Sequence, residues 1–371
     1  MSDISRISIN TGGGDAPGLN AVIHSVVYAA SRLGWKVYGI REGFDGILYP
    51  DRYPDGGVVE LTRDSVENIA HLGGTILGTT NRGNPFRVKE HDPDGGEREV
   101  DRSGEVIEAL KRRGCDAHVA VGGDGSLRIA LELHRKGLRV VGVPKTIDND
   151  LDATTTTFGF STAVSFATEC IDRLRVTAQA HRRIIVVEVM GRTAGWIALH
   201  AGIAGRVDAI LIPEIPYDIR EVARHIRAAT DGGREHALVV VAEAARPAGG
   251  EVTMRAHGPA RGERLGGVGE LVASQLQELT GQEARAVSLG HLVRGGSPNA
   301  TDRILGMSFG AAAVHALSEG QNGVMVALNP PRIDYVPLEE AVRRIRTVPT
   351  DGELVLVARA LDISLGHAVP R

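Results

Sequence analysis

The stretch Val140-Val141-Gly142-Val143-Pro144-Lys145-Thr146-Ile147-Asp148-Asn149-Asp150 decides the fold and the chemistry expected of it. Its first four residues are an apolar run of the length of a buried strand. The remaining residues, 144–150, read as a loop carrying two carboxylates two residues apart. A second such arrangement precedes it. The mostly apolar run His118-Val119-Ala120-Val121 leads into Gly122-Gly123-Asp124-Gly125-Ser126. Two strand-ending loops that each offer carboxylate and backbone N–H groups suit a hydrated divalent cation carrying phosphates. The chemistry this suggests is phosphoryl transfer to a hydroxyl.

Outward from these loops, short apolar runs alternate with longer amphipathic stretches. A strand at 7–10 leads into Thr11-Gly12-Gly13-Gly14-Asp15-Ala16-Pro17-Gly18, followed by a helix over 19–33 and a strand at 36–40. Helices over 105–113 and 127–136 precede strands at 118–121 and 139–143. This alternation predicts an α/β fold with a mainly parallel sheet covered by helices on both faces. Ligands then sit at the carboxyl ends of strands, where both acidic loops fall. A second βα region follows, with helices over 161–175 and 193–203 and strands at 183–189, 209–212 and 237–241, the last ending at Ala242-Glu243. Two Rossmann-like lobes are expected, with the active site in the cleft between them. Segments 91–103 and 247–269, the latter with seven glycines, read as exposed loops or hairpins.

A length of 371 residues favours two domains or one large domain with lobes. Hydrophobic residues at 42% and charged residues at 24% describe a soluble globular protein. A net charge of −4 excludes a general nucleic-acid surface, so any anion-binding charge is local. The cysteines, Cys115 and Cys170, have no metal-ligand spacing and exclude a disulfide framework. The start lacks a signal-peptide apolar region. No apolar run approaches the ~20 residues that span a bilayer. A cytoplasmic protein without membrane or nucleic-acid partners is expected.

Each motif has a functional role and a plainer one. The first glycine loop lets phosphate oxygens approach the backbone at a helix N-terminus; a tight turn without ligand fits the same residues. Asp124 at a strand end suits Mg²⁺, and Ser126 with neighbouring N–H groups suits phosphate; both residue types also cap helices. In 144–150, Asp148 is placed to orient and deprotonate an attacking hydroxyl, Asp150 to help hold the metal, and Thr146 to donate to the moving phosphoryl. A bare Asx-rich turn has no need of Lys145. Arg183 and Arg192 flank the 183–189 strand; Arg192, after Met190-Gly191, suits charge spreading over a phosphoryl group. A surface salt bridge is the plainer role for either. Gly290-His291-Leu292-Val293-Arg294-Gly295-Gly296-Ser297-Pro298 puts His291 and Arg294 three apart, which suits a phosphate monoester, with Arg285 upstream. The run Thr154–Thr157 reads as a polar loop.

Together these segments closely resemble the 6-phosphofructokinase family. The matching pieces are Gly13-Gly14-Asp15-Ala16-Pro17-Gly18-Leu19-Asn20, Leu72-Gly73-Gly74-Thr75-Ile76-Leu77-Gly78-Thr79, and the segments 122–126, 144–150, 187–192 and 289–298. They occur in family order over most of the chain. The resemblance implies transfer of a phosphoryl group to the 1-hydroxyl of fructose 6-phosphate, with Asp148 as proton acceptor. It places Mg²⁺ on Asp124 with Asp150 as helper. Gly13, Gly14, Arg82, Gly123, Gly125 and Ser126 line the nucleotide site. Thr146, Ile147, Met190, Gly191, Arg192 and Glu243 belong to the sugar side, and His291 and Arg294 grip the 6-phosphate. Residues matching Arg183 and Arg285 reach in from a neighbouring subunit, which implies a homo-oligomer, commonly a tetramer. The expected lobes are 1–159 plus 299–345, binding nucleotide and Mg²⁺, and 160–298 plus 346–371, binding sugar phosphate.

Family members use ATP or pyrophosphate as donor. Gly125 points to ATP, because a carboxylate there would repel and crowd the α-phosphate. Lys145 resembles the pyrophosphate users, and a mixed subgroup carries both Gly125 and Lys145. A pyrophosphate-dependent enzyme is the competing expectation; a non-catalytic sugar-phosphate sensor is a third, at odds with the retention of Asp124, Asp148 and Asp150. Arg82 sits in a poorer match to the family's nucleotide loop, where a slip of a residue or two, or onto Arg87, is the alternative alignment. At effector positions His24 and Tyr28 replace arginines while Arg175 remains, so weak or altered regulation by ADP and phosphoenolpyruvate is expected.

Overall fold

The computed structural model describes residues 4–91, 96–256 and 263–367. The chain divides into two compact units, one formed by Met1–Thr146, Leu151–Gly159 and Arg294–Ile345, the other by Ile147–Asp150, Phe160–Val293 and Arg346–Arg371.

The first unit contains β1 (Arg6–Thr11), β2 (Lys36–Ile40), β3 (Val58–Leu61), β4 (Val88–His91), β5 (Glu97–Val100), β6 (Ala117–Gly122), β7 (Val140–Thr146) and β8 (Phe158–Gly159). The second contributes β9 (Ile184–Val189), β10 (Ala209–Leu211), β11 (Ala237–Ala242), β12 (Met254–Ala256), β13 (Glu263–Leu265) and β14 (Ala284–Ser288). The chain then returns to the first unit with β15 (Val324–Asn329) and β16 (Arg332–Pro337).

The main sheet of the first unit runs β16-β15-β7-β6-β1-β2-β3, with β8 beside β7. Its centre is parallel and only the pairs at the two edges, β2–β3 and β15–β16, are antiparallel. Strands β6 and β7 are buried along their whole length, as a sheet covered on both faces requires. The period of two divides their side chains between two cores. Val119, Val121, Val141 and Val143 pack with Val22, Val26 and Phe309 from helices Leu19–Arg32 and Ala300–Ser318. Ala120 and Val140 pack with Val106, Leu110, Leu127 and Leu133 from helices Ser103–Arg112 and Asp124–Arg135.

The second unit holds a parallel sheet in the order β10-β11-β9-β14. One face packs against Val222 and Ile226 of helix Ile219–Asp231 and Val272 and Leu276 of helix Val268–Thr280. The expected α/β class with mainly parallel sheets therefore holds.

Boundaries differ where pairing extends an element. The expected 144–150 loop is half strand, because Lys145 and Thr146 pair with Phe158 and Gly159. Pro144, which lacks an N–H, reads as a strand end, yet it sits inside β7 opposite Gly122. The helix expected over 127–136 begins at Asp124, and the one expected over 161–175 runs Phe160–His181. The 91–103 segment contributes to a hairpin, β4–β5. In 247–269, β12 and β13 pair antiparallel, and residues 257–262 lie outside the described ones.

Candidate active site

In the first unit the loops after β1 and β6 meet each other and Lys145 of β7. Gly12 N donates to Val121 O at 2.9 Å and Gly13 N to Thr80 O at 3.0 Å. Thr79 Oγ1 donates to Gly13 O at 2.6 Å. The approach is close enough to demand glycine: a Cβ on Gly12 would lie 2.6 Å from Ser126 Oγ, and one on Gly122 2.3 Å from Ser126 Cβ. So part of this glycine run serves packing between two loops. Beneath them, His118 bonds Ser8 Oγ at 2.8 Å and Asn10 Oδ1 at 3.2 Å. Burial pushes its pKa down to about 3, so it stays neutral.

Lys145 is buried and its Nζ donates to Gly14 O. Arg294 Nη1 donates to Asp15 O at 3.2 Å. Both cations therefore converge on the Gly13–Asp15 backbone. Thr146 O accepts from Thr157 Oγ1 at 2.7 Å, which gives the threonine run a structural task.

Asp124 is the first residue of its helix and does not cap it; Gly123 holds the cap position without a side-chain bond. The Asp124 carboxylate instead accepts from Arg128 Nε at 3.0 Å. Gly125 follows in the first helical turn, where a Cβ would meet nothing within 4 Å and φ is not positive. No neighbour in the protein requires a glycine there, although glycine costs a helix up to about 1 kcal/mol relative to alanine. Gly125 borders a cavity of about 680 Å³ lined also by Phe86, Arg87, Arg128, Ile129 and Arg343. Both Arg82 and Arg87 are exposed, and of the two only Arg87 is among its lining residues.

The second unit gathers the other candidates. Asp148, Asn149 and Asp150 are all buried. Asp150 Oδ2 lies 3.9 Å from Arg192 Nη1. Glu243 Oε1 accepts from Arg192 N at 2.9 Å and Gly191 N at 3.3 Å, so this carboxylate shapes the turn after β9. Gly191 is obligatory, since a Cβ there would sit 2.4 Å from Ala194 O. Arg192 (φ 53°) and Asn149 (φ 52°) both adopt the left-handed conformation, which costs a non-glycine residue roughly 1–3 kcal/mol. Such strain persists where surrounding contacts enforce it. His291 is exposed on a 3₁₀ turn, Gly290–Arg294. Arg183 and Arg285 both pair with Glu283, at 3.5 and 2.8 Å.

Three residues with no local motif hold this arrangement. Arg346 Nη1 donates to Asn149 Oδ1 at 3.3 Å, Arg346 N donates to Asp150 O at 2.9 Å, and the guanidinium lies 4.6 Å from the Trp196 ring centroid. Trp196 Nε1 donates back to Arg346 O at 3.2 Å. Glu214 accepts from Gly195 N at 3.0 Å and Val348 N at 2.8 Å; burial raises its carboxyl above the usual range, while these N–H groups pull it down. Only their positions at strand and turn ends could have marked them in the sequence.

Among the described residues no trio of His, Cys, Asp or Glu is assembled to hold a metal. That fits Mg²⁺ brought in on phosphates, which needs only one or two carboxylates from the protein. Asp124, in the first unit, offers hard carboxylate oxygens of the kind Mg²⁺ takes. At the positions that the family resemblance singles out for effectors, His24 bonds Val66 O and stacks on Tyr28, and the Arg175 guanidinium donates to Gly205 O and Arg206 O.

The phosphofructokinase family model matches residues 6–317. An ATP-dependent 6-phosphofructokinase of Chloroflexus aurantiacus is 50% identical over 363 residues, covering 97% of this chain and 98% of the relative. A pyrophosphate–fructose 6-phosphate 1-phosphotransferase of Amycolatopsis methanolica is 47% identical over 350 residues, covering 93% and 97%. Among solved structures, phosphofructokinase from Pichia pastoris in the T-state superposes with a TM-score of 0.76 at 30% identity. That comparison covers 98% of this chain and 37% of the Pichia chain. A pyrophosphate-dependent phosphofructokinase from Marinobacter aquaeolei shares the fold, with a TM-score of 0.78 at 21% identity over 99% of this chain and 94% of that one. With strand-end loops, glycine contacts and carboxylates in the family's order, the chain belongs to the phosphofructokinase family.

Proposed function

We propose that this chain is an ATP-dependent 6-phosphofructokinase, transferring the γ-phosphoryl group of ATP to the 1-hydroxyl of fructose 6-phosphate to give fructose 1,6-bisphosphate in glycolysis. The observation that carries the choice of donor is Gly125: open space where a side chain would stand, beside a cavity large enough for an adenosine. The first unit binds nucleotide and Mg²⁺ through Gly13, Gly14, Gly123, Asp124, Gly125 and Ser126, with Arg87 in place of Arg82 at the nucleotide. The second binds sugar phosphate.

Transfer is in line. Asp148 accepts the hydroxyl proton, while Arg192 and Thr146 stabilise the charge on the moving phosphoryl. Ile147, Met190, Gly191 and Glu243 shape the sugar site, and His291 with Arg294 binds the 6-phosphate. Mg²⁺, held by Asp124 with Asp150, supplies charge neutralisation on the donor phosphates. Arg183 and Arg285 complete a neighbouring copy's site in a homo-oligomer, commonly a tetramer, working in the cytoplasm.

Lys145 favours a second reading, in which pyrophosphate is the donor: its buried ammonium sits against Gly14, where it would meet donor phosphates. Initial rates with ATP and with pyrophosphate, at equal fructose 6-phosphate and Mg²⁺, test the choice. Faster turnover with pyrophosphate overturns the ATP assignment. Sugar-phosphate binding without turnover on either donor would instead mark a non-catalytic sensor.

A further inference from the structure

We infer that the second unit carries a binding site for a phosphate dianion, free or as a monoester, between helix Ile219–Asp231 and the segment that follows helix Glu353–Ala360. A cavity of about 340 Å³ there is lined by Glu221, Arg224, His225, Arg359, Ser364 and His367, among others. None of these residues has a role in the chemistry above.

The inference rests on hydrogen-bond accounting. Arg359 Nη2 lies 3.4 Å from His367 Nε2. A guanidinium only donates, so Nε2 is the acceptor, and the neutral ring then carries its proton on Nδ1. That Nδ1 is buried with no hydrogen-bond partner, and so is Arg359 Nε. Two buried N–H groups without acceptors thus belong to residues lining one cavity, a condition folded proteins rarely leave unmet.

The lining does not supply the missing acceptors. The Glu221 carboxylate is held by Arg224, and Ser364 Oγ already accepts from Gly366 N at 3.2 Å. Asp362 also lines the cavity but is exposed and bonds neither Arg359 Nε nor His367 Nδ1. What the cavity lacks is a compact group made of acceptors, and a phosphate dianion is one. The same helix carries Arg220, Arg224 and Arg227 against Glu221 and Asp231. An adjoining groove of about 450 Å³ shares Arg224 and is lined by Arg220 and Arg227. These arginines would draw an anion toward the cavity mouth.

The test is isothermal titration of the full chain with inorganic phosphate, comparing wild type with Arg359→Gln and His367→Leu. Phosphate bound at the catalytic residues is common to all three proteins and cancels. The expected result is one phosphate fewer per chain in each variant, or binding at this site weakened about tenfold or more, the worth of one charge-assisted hydrogen bond. Competition by glycerol phosphate against inorganic phosphate then tells an ester site from one that takes only the free ion. Equal stoichiometry and affinity in wild type and either folded variant overturns the site and leaves water as the occupant. Thermal melts confirm folding, and if one variant fails to fold the other decides.

Discussion

Replacing Gly125 with aspartate separates the role of this residue in donor choice from any role in stability. A Cβ at 125 meets no atom within 4 Å and the backbone there is not left-handed, so the protein has room for the new side chain. Position 125 lies in the first turn of helix Asp124–Arg135, where a carboxylate is favoured by the helix dipole by about 0.3–1 kcal/mol. Losing the glycine adds up to about 1 kcal/mol. Repulsion from Asp124 offsets part of this, so Gly125→Asp should melt at or slightly above the wild-type temperature. Toward ATP the effect reverses. Two unit charges ~4 Å apart repel by about 1 kcal/mol in water and about 4 kcal/mol at a partly buried surface. Position 125 is exposed but borders the cavity, which places the penalty between those limits, at roughly 10²-fold in KM for ATP. Gly125→Ala, uncharged and small, should shift KM by only a few-fold. The assay is initial rate against ATP at saturating fructose 6-phosphate, with thermal melts of all three proteins. An ATP KM for Gly125→Asp within twofold of wild type refutes the idea that this position admits the nucleotide.

Other outcomes follow from the same geometry. Asp148→Asn should lower kcat by roughly 10²-fold or more with sugar-phosphate binding largely kept; a nearly normal kcat removes Asp148 from the base role. A Cβ on Gly73 would lie 2.2 Å from Gly296 O, backbone against backbone, so Gly73→Ala should destabilise by about 3 kcal/mol and weaken fructose 6-phosphate binding through the displaced Arg294 turn; a wild-type melt excludes this. Because burial raises the Glu214 carboxyl, its stabilising contribution is full below the ordinary glutamate pKa and is lost as pH rises through the raised value. Glu214→Gln should therefore flatten the stability profile as pH rises above the ordinary glutamate pKa, and denaturant midpoints with an unchanged slope would count against it. With Arg175 occupied by Gly205 O and Arg206 O, ADP and phosphoenolpyruvate should shift sugar saturation curves little; strongly sigmoidal shifts contradict that.

Much of the architecture is legible along the chain because its causes are local. The apolar runs at 118–121 and 140–143 are strands because both faces of a parallel sheet are covered, and the residues that end them carry the chemistry. The motifs in family order identify the family for the same reason: each is a short stretch whose residue types the chemistry dictates. Other features depend on partners far away in sequence and leave no local mark. β7 runs past Pro144 only because β8 offers it a neighbour. Arg346 steadies Asn149 across 197 residues, and Glu214 joins Gly195 to Val348. Arg87 and not Arg82 lines the cavity beside Gly125, a difference that the four residues between them could not reveal by spacing. Element type, motif chemistry and family were thus determined by the sequence alone. Which side chains meet, and which charges are already committed to the protein's own backbone, was decided by the tertiary structure, because those are properties of contacts and not of neighbours in the chain.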